Sequence, residues 1–366
     1  MNVLALASFP VEAAATRYRL SQFIAPLAER GITLTIRPFI DSALFSRLYS
    51  KDAALSNSLD LLKAALLRLK DVLSATRADV VIIQREAMMF GPPIIEWLIT
   101  GIFRRPIVLD LDDATYVPYS SPTYGRFGKA LKWFSKTDDL IRWSRIVICG
   151  NRTIGEYVSS KGATALVIPT VADTNIFRPA PASGEKDKPV LGWIGTHSTY
   201  PYLESIFSVL QRVASDHSFR LKIVGAGQKE IIIPGIEVEN LEWQLDREVE
   251  DFQSFDIGLY PIVPTLYARE WAAGKSGFKA IQYMSVGIPY VASPVGAITE
   301  IGEIGKTHLC ASTDEQWLDA LRELIVNREK REQMGKAGRD EAIAHYGLAA
   351  QATKLATVLR KAAERS

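Results

Sequence analysis

The segment Gly274-Lys275-Ser276-Gly277-Phe278-Lys279-Ala280-Ile281-Gln282 carries the most informative chemistry in the chain. The spacing predicts a helix over 276–286, with Lys275, Lys279 and Gln282 on one face at i, i+4 and i+7. An ammonium beside a glycine at a helix start lies where backbone N–H groups and the helix dipole already favour an anion, and a diphosphate suits it. The same lysines also read as the solvated face of a packing helix.

Asp110, Asp112 and Asp113 end an apolar strand (LDLDDA). Carboxylates there can accept a hydrogen bond from a hydroxyl, accept a proton, bind Mg²⁺ through oxygen, or cap the following turn. Arg17-Tyr18-Arg19 follows the first strand after a small-residue loop, and two arginines there can clamp a phosphate or carboxylate or simply start a surface helix. Gly225-Ala226-Gly227 after a strand lets a backbone approach a nucleotide. His197 lies in a polar loop, and Trp243 and Cys149 read as core. Residues 126–136 (RFGKALKWFSK) form an amphipathic pattern with Trp133 beside Lys129, Lys132 and Lys136. That pattern suits an anionic bilayer surface or a domain helix with its lysines in water.

These residues need a scaffold. Short apolar runs at Val3–Ala7, Thr33–Arg37, Val80–Ile83, Ile107–Leu111 and Ile146–Cys149 alternate with helical patterns at Arg17–Arg30 and Leu59–Leu73, and Gly31 is placed to stop the first helix. Continuous apolar strands separated by helices indicate a parallel sheet covered on both faces. FRPAPASGEKDKP at 177–189 breaks the pattern and reads as a linker. The alternation then restarts, with strands at Val190–Ile194, Arg220–Val224, Ile257–Tyr260 and Tyr290–Ala292, a helix at Pro201–Ala214, and helices from Glu315 to about Glu364. The chain has 366 residues, about twice the usual domain size. Two doubly wound α/β domains are therefore expected: residues 1–178, a linker at 179–189, residues 190–345, and a final helix at 346–366.

Composition narrows the class. The chain is 48% apolar and 23% charged with a net charge of +2, which argues against a dedicated nucleic-acid binder. Its 2 cysteines exclude a disulfide framework and lack zinc-site spacing. The N-terminus reads as a first strand rather than a signal peptide, and the apolar stretch 88–103 is short for a membrane span and contains Glu96, so a cytoplasmic protein is expected.

GKSGFKAIQYMSVGIPYVASPVG resembles the donor-site signature of family 4 retaining glycosyltransferases of the GT-B fold, in a subgroup with a G-K-x-x-F-K pattern. VLGWIGTHST, LKIVGAG, DIGLYP, VICGN and VIPTVADTNIFRP follow the family's order over nearly the whole chain. The resemblance implies two Rossmann-like domains facing each other across a cleft, with the last helix crossing back. It implies transfer of a hexose from a nucleotide diphosphate sugar, a UDP- or GDP-sugar, to a glycan or lipid-linked acceptor in surface polysaccharide synthesis. No metal or other cofactor is expected, and the enzyme would be peripheral to the membrane.

By the same resemblance Asp112 and Lys275 would be catalytic. The donor would be held by Gly195, Thr196, His197, Gly225, Gly227, Trp243, Arg269, Glu270, Gly274, Ser276, Lys279 and Gln282, and the acceptor by Arg17, Arg19 and Asp113. The family's two glutamates fall here on Gly274 and Gln282, and its arginine and lysine after the first strand of the second domain are replaced by Thr196 and Tyr200-Pro201. Those departures keep a non-catalytic GT-B binding protein open as an alternative, and the doubled fold, which a nucleotide-sugar epimerase can share, keeps that enzyme open as another.

Overall fold

The computed structural model describes residues 1–48, 54–118, 132–181, 187–264 and 269–364. The chain divides into two compact units: Met1–Thr170 with Tyr267–Ser276 and Ala349–Ser366, and Val171–Leu266 with Gly277–Leu348.

The first unit is built on strands β1 (Asn2–Ala7), β2 (Thr33–Pro38), β3 (Val80–Gln84), β4 (Ile107–Leu111), β5 (Ile146–Cys149) and β6 (Ala165–Val167), all parallel, in the order β2-β1-β3-β4-β5-β6. The strands β3, β4 and β5 are buried along their whole length, as a sheet covered on both faces requires. Their inner face packs with Ile95, Ile99, Leu140, Ile154 and Val158 from the flanking helices. The expected helix over 17–30 is broken: Ala14–Arg19 ends at Leu20, whose backbone leaves the helical region, and Ile24–Ala28 restarts beyond a 3₁₀ turn. Gly31 does close it, at φ +74°. The helix over 59–73 is longer than expected, Ala54–Ala75.

The second unit has strands β7 (Val190–Ile194), β8 (Arg220–Val224), β9 (Glu237–Leu241), β10 (Ile257–Tyr260), β11 (Tyr290–Ala292) and β12 (Leu309–Cys310), again all parallel, in the order β12-β11-β10-β7-β8-β9. Chain order reverses between β1 and β3 in the first sheet and between β7 and β10 in the second. In such sheets ligands bind beyond the carboxyl ends of the strands at the reversal.

The unit boundary falls at Val171, ahead of the expected linker. Phe177, read from composition as the start of the linker, is instead core of the second unit, 3% exposed and edge-on to Phe252 at 5.9 Å. Residues 182–186 lie outside the described residues. The last helix, Leu348–Ala363, carries Leu355, Ala356 and Leu359 into the first unit, and Arg360 donates to the Arg30 carbonyl at 2.7 Å.

Candidate functional site

In the second unit, the loops after β7, β8 and β9 converge on one another, and glycine makes the convergence possible. A Cβ on Gly195 would lie 2.4 Å from the Trp193 ring and 2.7 Å from Thr199 Oγ1. Gly225, at φ +81°, lies against the Gly195 carbonyl, where a Cβ would come within 2.4 Å of the oxygen and 3.2 Å of Trp243 Cβ. Gly227, at φ +70°, lies against His197, whose Cβ would be 2.8 Å from an added carbon. Two of these residues thus need the left-handed backbone and all three need the absence of a side chain.

The loops are pinned from behind: Gly195 N–H bonds Val224 O at 3.0 Å and Gly225 N–H bonds Leu241 O at 2.9 Å. Thr196, His197 and Ser198 are exposed on this floor, with Thr196 Oγ1 2.8 Å from Ser198 Oγ, and Trp243 is half-buried beside it. The site residues Gly195, Thr196, His197, Gly225, Gly227 and Trp243 are therefore brought together.

The helix over 276–286 is shorter than expected, Phe278–Ser285, because Gly277 takes φ +67° and serves as its N-cap. Lys275 and Ser276 lie in the loop before it, so Lys275 does not share a helical face with Lys279 and Gln282. Lys275 Nζ instead lies 5.0 Å from the centre of the Trp271 ring, a cation–π contact. Lys279 and Gln282 do meet: Lys279 Nζ donates to Gln282 Oε1 at 2.9 Å. Gln282 is fully buried and its Nε2 donates to Glu248 Oε1 at 3.3 Å, so its amide points to the protein rather than to a ribose.

Glu248 was not expected. It is 3% exposed, lies 3.9 Å from Lys279 Nζ, and starts the helix Glu248–Gln253. The signal that could have found it is its register with Asp251 and Phe252, which turn inward one helical turn on.

The first unit holds a second constellation at the ends of β3, β4 and β5. Arg85, just past β3, has the left-handed φ of +62°, unusual for a side chain of its size, and its N–H bonds the Asp110 carbonyl at 2.8 Å. From there its guanidinium forks the Asp112 carboxylate at 2.5 and 2.6 Å and reaches Asp113 at 3.1 Å. Burial pushes the Asp112 pKa up, but Arg85 more than offsets this and holds it below the usual carboxylate value. Asp112 is 6% exposed with both oxygens engaged, which corrects its reading as a carboxylate presented to the sugar.

Arg19 is corrected in the same way. It is 5% exposed, donates to Asp110 at 3.1 and 3.2 Å and to the Ile168 carbonyl at 2.6 Å, and so ties the sheet together rather than clamping an acceptor. Arg17 donates to the Val11 and Glu12 carbonyls at 3.2 and 3.0 Å. Asp113 is half-buried.

Segment 269–276 is seated on the same edge. Gly274 lies against the loop after β4, where a Cβ would come within 2.3 Å of Ala114 Cβ and 3.1 Å of its nitrogen. Asn151, the N-cap of Arg152–Ser160, donates Nδ2 to the Lys275 carbonyl at 3.0 Å. Gly274 is thus a close-approach glycine with no room for a glutamate. Arg269 and Glu270 are exposed at the start of Arg269–Ala273. Among the described residues no group of three His, Cys, Asp or Glu side chains is placed to hold a metal.

Residues 126–131 of the basic stretch lie outside the described residues. Of the rest, Trp133 has φ +53°, and Lys132 and Lys136 both pair with the buried Glu86, Lys136 at 2.7 Å. These two lysines therefore do not form a solvated basic face. No helix among the described residues is long and apolar enough to cross a membrane.

Residues 188–327, which include the glycine floor, match the family model described as glycosyl transferases group 1. No curated protein sequence was found to match the chain. Solved structures similar over nearly the whole length include Anabaena Alr3699/HepE in complex with UDP, at 17% identity and TM-score 0.69, covering 99% of this chain and 100% of that one. Sucrose-phosphate synthase (tll1590) from Thermosynechococcus elongatus is similar at 13% identity and TM-score 0.69, covering 98% of each chain. A glycosyltransferase from Rickettsia africae ESF-5 is similar at 12% identity and TM-score 0.69, covering 100% of this chain and 99% of that one. The two parallel six-stranded sheets are those of the GT-B fold, residues 188–327 are a glycosyl transferases group 1 domain, and the chain that carries them is a glycosyltransferase.

Proposed function

We propose that this enzyme transfers a hexose from a UDP- or GDP-sugar to a hydroxyl of a glycan or lipid-linked acceptor, with retention at the anomeric carbon. The observation that carries the reading is the glycine floor of the second unit, where Gly195, Gly225 and Gly227 bare backbone beside exposed hydroxyls and a half-buried Trp243. A nucleotide diphosphate is a ligand of that chemistry: its base stacks on an aromatic ring and its phosphates take the exposed hydroxyl donors. Alr3699/HepE binds UDP and UDP-glucose on the same fold, which favours uridine.

In the transfer, the bond from C1 to the diphosphate oxygen breaks and its electron pair leaves with the diphosphate. The acceptor oxygen bonds to C1 and its proton passes to the departing diphosphate oxygen. The residues' part is to stabilise the negative charge that builds on the leaving group, and we assign that to Lys275 and Lys279 with backbone N–H groups. Arg269, Glu270 and Ser276 are assigned to the same donor, and Asp113 and Arg17 to the acceptor side. Asp112, held ionised by Arg85, acts as a fixed negative charge rather than a proton carrier. No metal is required in this scheme.

The test is thermal unfolding with UDP-, GDP- and ADP-hexoses, with and without Mg²⁺, followed by NMR of the product anomer. A rise of a few degrees with one nucleotide sugar, equal without Mg²⁺ and reduced in Lys275→Ala, is expected. A protein that none of them stabilises, or a product of inverted configuration, would overturn the reading.

A further inference from the structure

Gly150-Asn151, directly after β5, joins three pieces of the first unit. Asn151 is 3% exposed, and both polar atoms of its side chain are engaged. Its Oδ1 accepts from the Ile154 N–H at 2.9 Å and so caps the helix Arg152–Ser160. Its Nδ2 donates to the Lys275 carbonyl at 3.0 Å and to the Ala273 carbonyl at 3.4 Å. These two carbonyls lie past the last bonds of the short helix Arg269–Ala273, in which the Gly274 and Lys275 N–H groups reach the Glu270 and Ala272 carbonyls at 3.1 and 3.2 Å. One side chain therefore closes the start of one helix and the end of another. Ser and Asp cap a helix start about as well as Asn, but neither adds two N–H donors to the acceptor.

The seat around Asn151 is built from close contacts. Gly150 lies where a Cβ would come 2.7 Å from the Asp112 carbonyl oxygen, so the chain after β4 meets the chain after β5 backbone to backbone. Tyr116, a few residues further along the same loop, stacks on Tyr157 of the capped helix with ring centres 3.6 Å apart. Ala114, between Asp112 and Tyr116, takes the close approach of Gly274. Segment 269–276 is thus fastened within the first unit, although the chain on both sides of it belongs to the second.

We propose that Asn151 is the positioning residue for Lys275. By holding the carbonyls on either side of Gly274, it fixes the backbone from which the Lys275 ammonium projects over the Trp271 ring. A lysine carries its charge on a flexible four-carbon stem, so the charge is aimed only as well as the backbone beneath it is fixed. A backbone fixed in advance lets the ammonium meet a developing negative charge without reorganisation. The inference rests on the transfer reading for what Lys275 does, and on bonds within the first unit for how it is held.

The experiment uses the full chain with Asn151→Asp and Asn151→Ser, which keep the cap and lose the donors, each alone and combined with Lys275→Ala. Hydrogen exchange reads the hold: the Gly274 and Lys275 amides should exchange roughly tenfold or more faster in both variants, with the Ile154 amide unchanged. Calorimetric titration with UDP reads the consequence. Asn151→Asp and Lys275→Ala should each weaken binding about tenfold, and the double variant should be no weaker than Lys275→Ala alone. Asn151→Ser, which adds no charge, should match Asn151→Asp, and it decides the matter if the aspartate variant does not fold. Unchanged exchange at Gly274 and Lys275 would overturn the proposal. So would losses that multiply in the double variant, because Asn151 would then act through the fold and not through Lys275. A wild type that does not bind UDP, or a Lys275→Ala variant that binds it as tightly, overturns the donor role of Lys275 instead, and the exchange rates then decide the hold by themselves.

Discussion

The two units meet charge in opposite ways. At the ends of β3 and β4, every strongly placed charge has its partner inside the protein: Arg85 forks Asp112, and Arg19 closes on Asp110. At the ends of β7 and β8, the protein builds with absences, three glycines that bring backbone to the surface under hydroxyls. A site whose charges are already matched is rigid and offers a ligand little. A floor of bared backbone gains most from what binds it. The difference leaves matched charge in the first unit and exposed hydroxyls over close-packed backbone in the second.

The sharpest way to break this contrast is Gly225→Val. Its Cβ would meet a backbone carbonyl at 2.4 Å from a left-handed conformation, so we expect loss of nucleotide-sugar binding and a stability loss of roughly 3–5 kcal/mol. Calorimetric titration and urea unfolding read the two, and a variant that still binds would remove the glycine floor from the argument.

Arg85→Ala should come next, at roughly 3 kcal/mol, because it strands a buried carboxylate. Asp112 has a folded pKa below its ordinary value, so the pair's stabilisation is present above about pH 4 and lost as pH falls through the folded pKa. Urea midpoints of wild type and variant should therefore differ most at pH 7 and converge as the carboxyl protonates. A constant gap would mean that Arg85 acts through packing alone.

The smallest effect expected is from Gln282→Glu, roughly 1–2 kcal/mol, since it replaces the donor to Glu248 by a second carboxylate. Adding Glu248→Gln should restore most of the loss in Tm, and a double variant no better than the single would dissolve the Lys279–Gln282–Glu248 arrangement.

Most strands that could be read directly are buried on both faces, with the edge strand β2 the exception. Ile107–Leu111, Ile146–Cys149 and Val190–Ile194 appear with the bounds their apolar runs suggest. Those that could not are edge strands: Glu237–Leu241 alternates charge with half-burial and pairs only with β8, while Ala165–Val167 and Leu309–Cys310 are too short to show a period. The helix start misread at Lys275 turned on one backbone angle, the φ of Gly277, which composition does not report. Arg85 stayed hidden for a related reason: its importance lies in a conformation, and its partners are 27 and 28 residues away. Gly274 and Gln282 read as losses of two family glutamates. The structure gives each a physical occupant, a neighbouring Ala114 backbone and a buried amide pair.

The return of the last helix has a consequence in time. Apart from Tyr267–Ser276, the chain from Val171 to Leu348 belongs to the other unit. A ribosome that has finished residue 170 must work for on the order of ten to thirty seconds before Leu355 and Leu359 exist to close the first core. The second unit can mature meanwhile on its own sequence, so the part of the molecule that starts first is completed last.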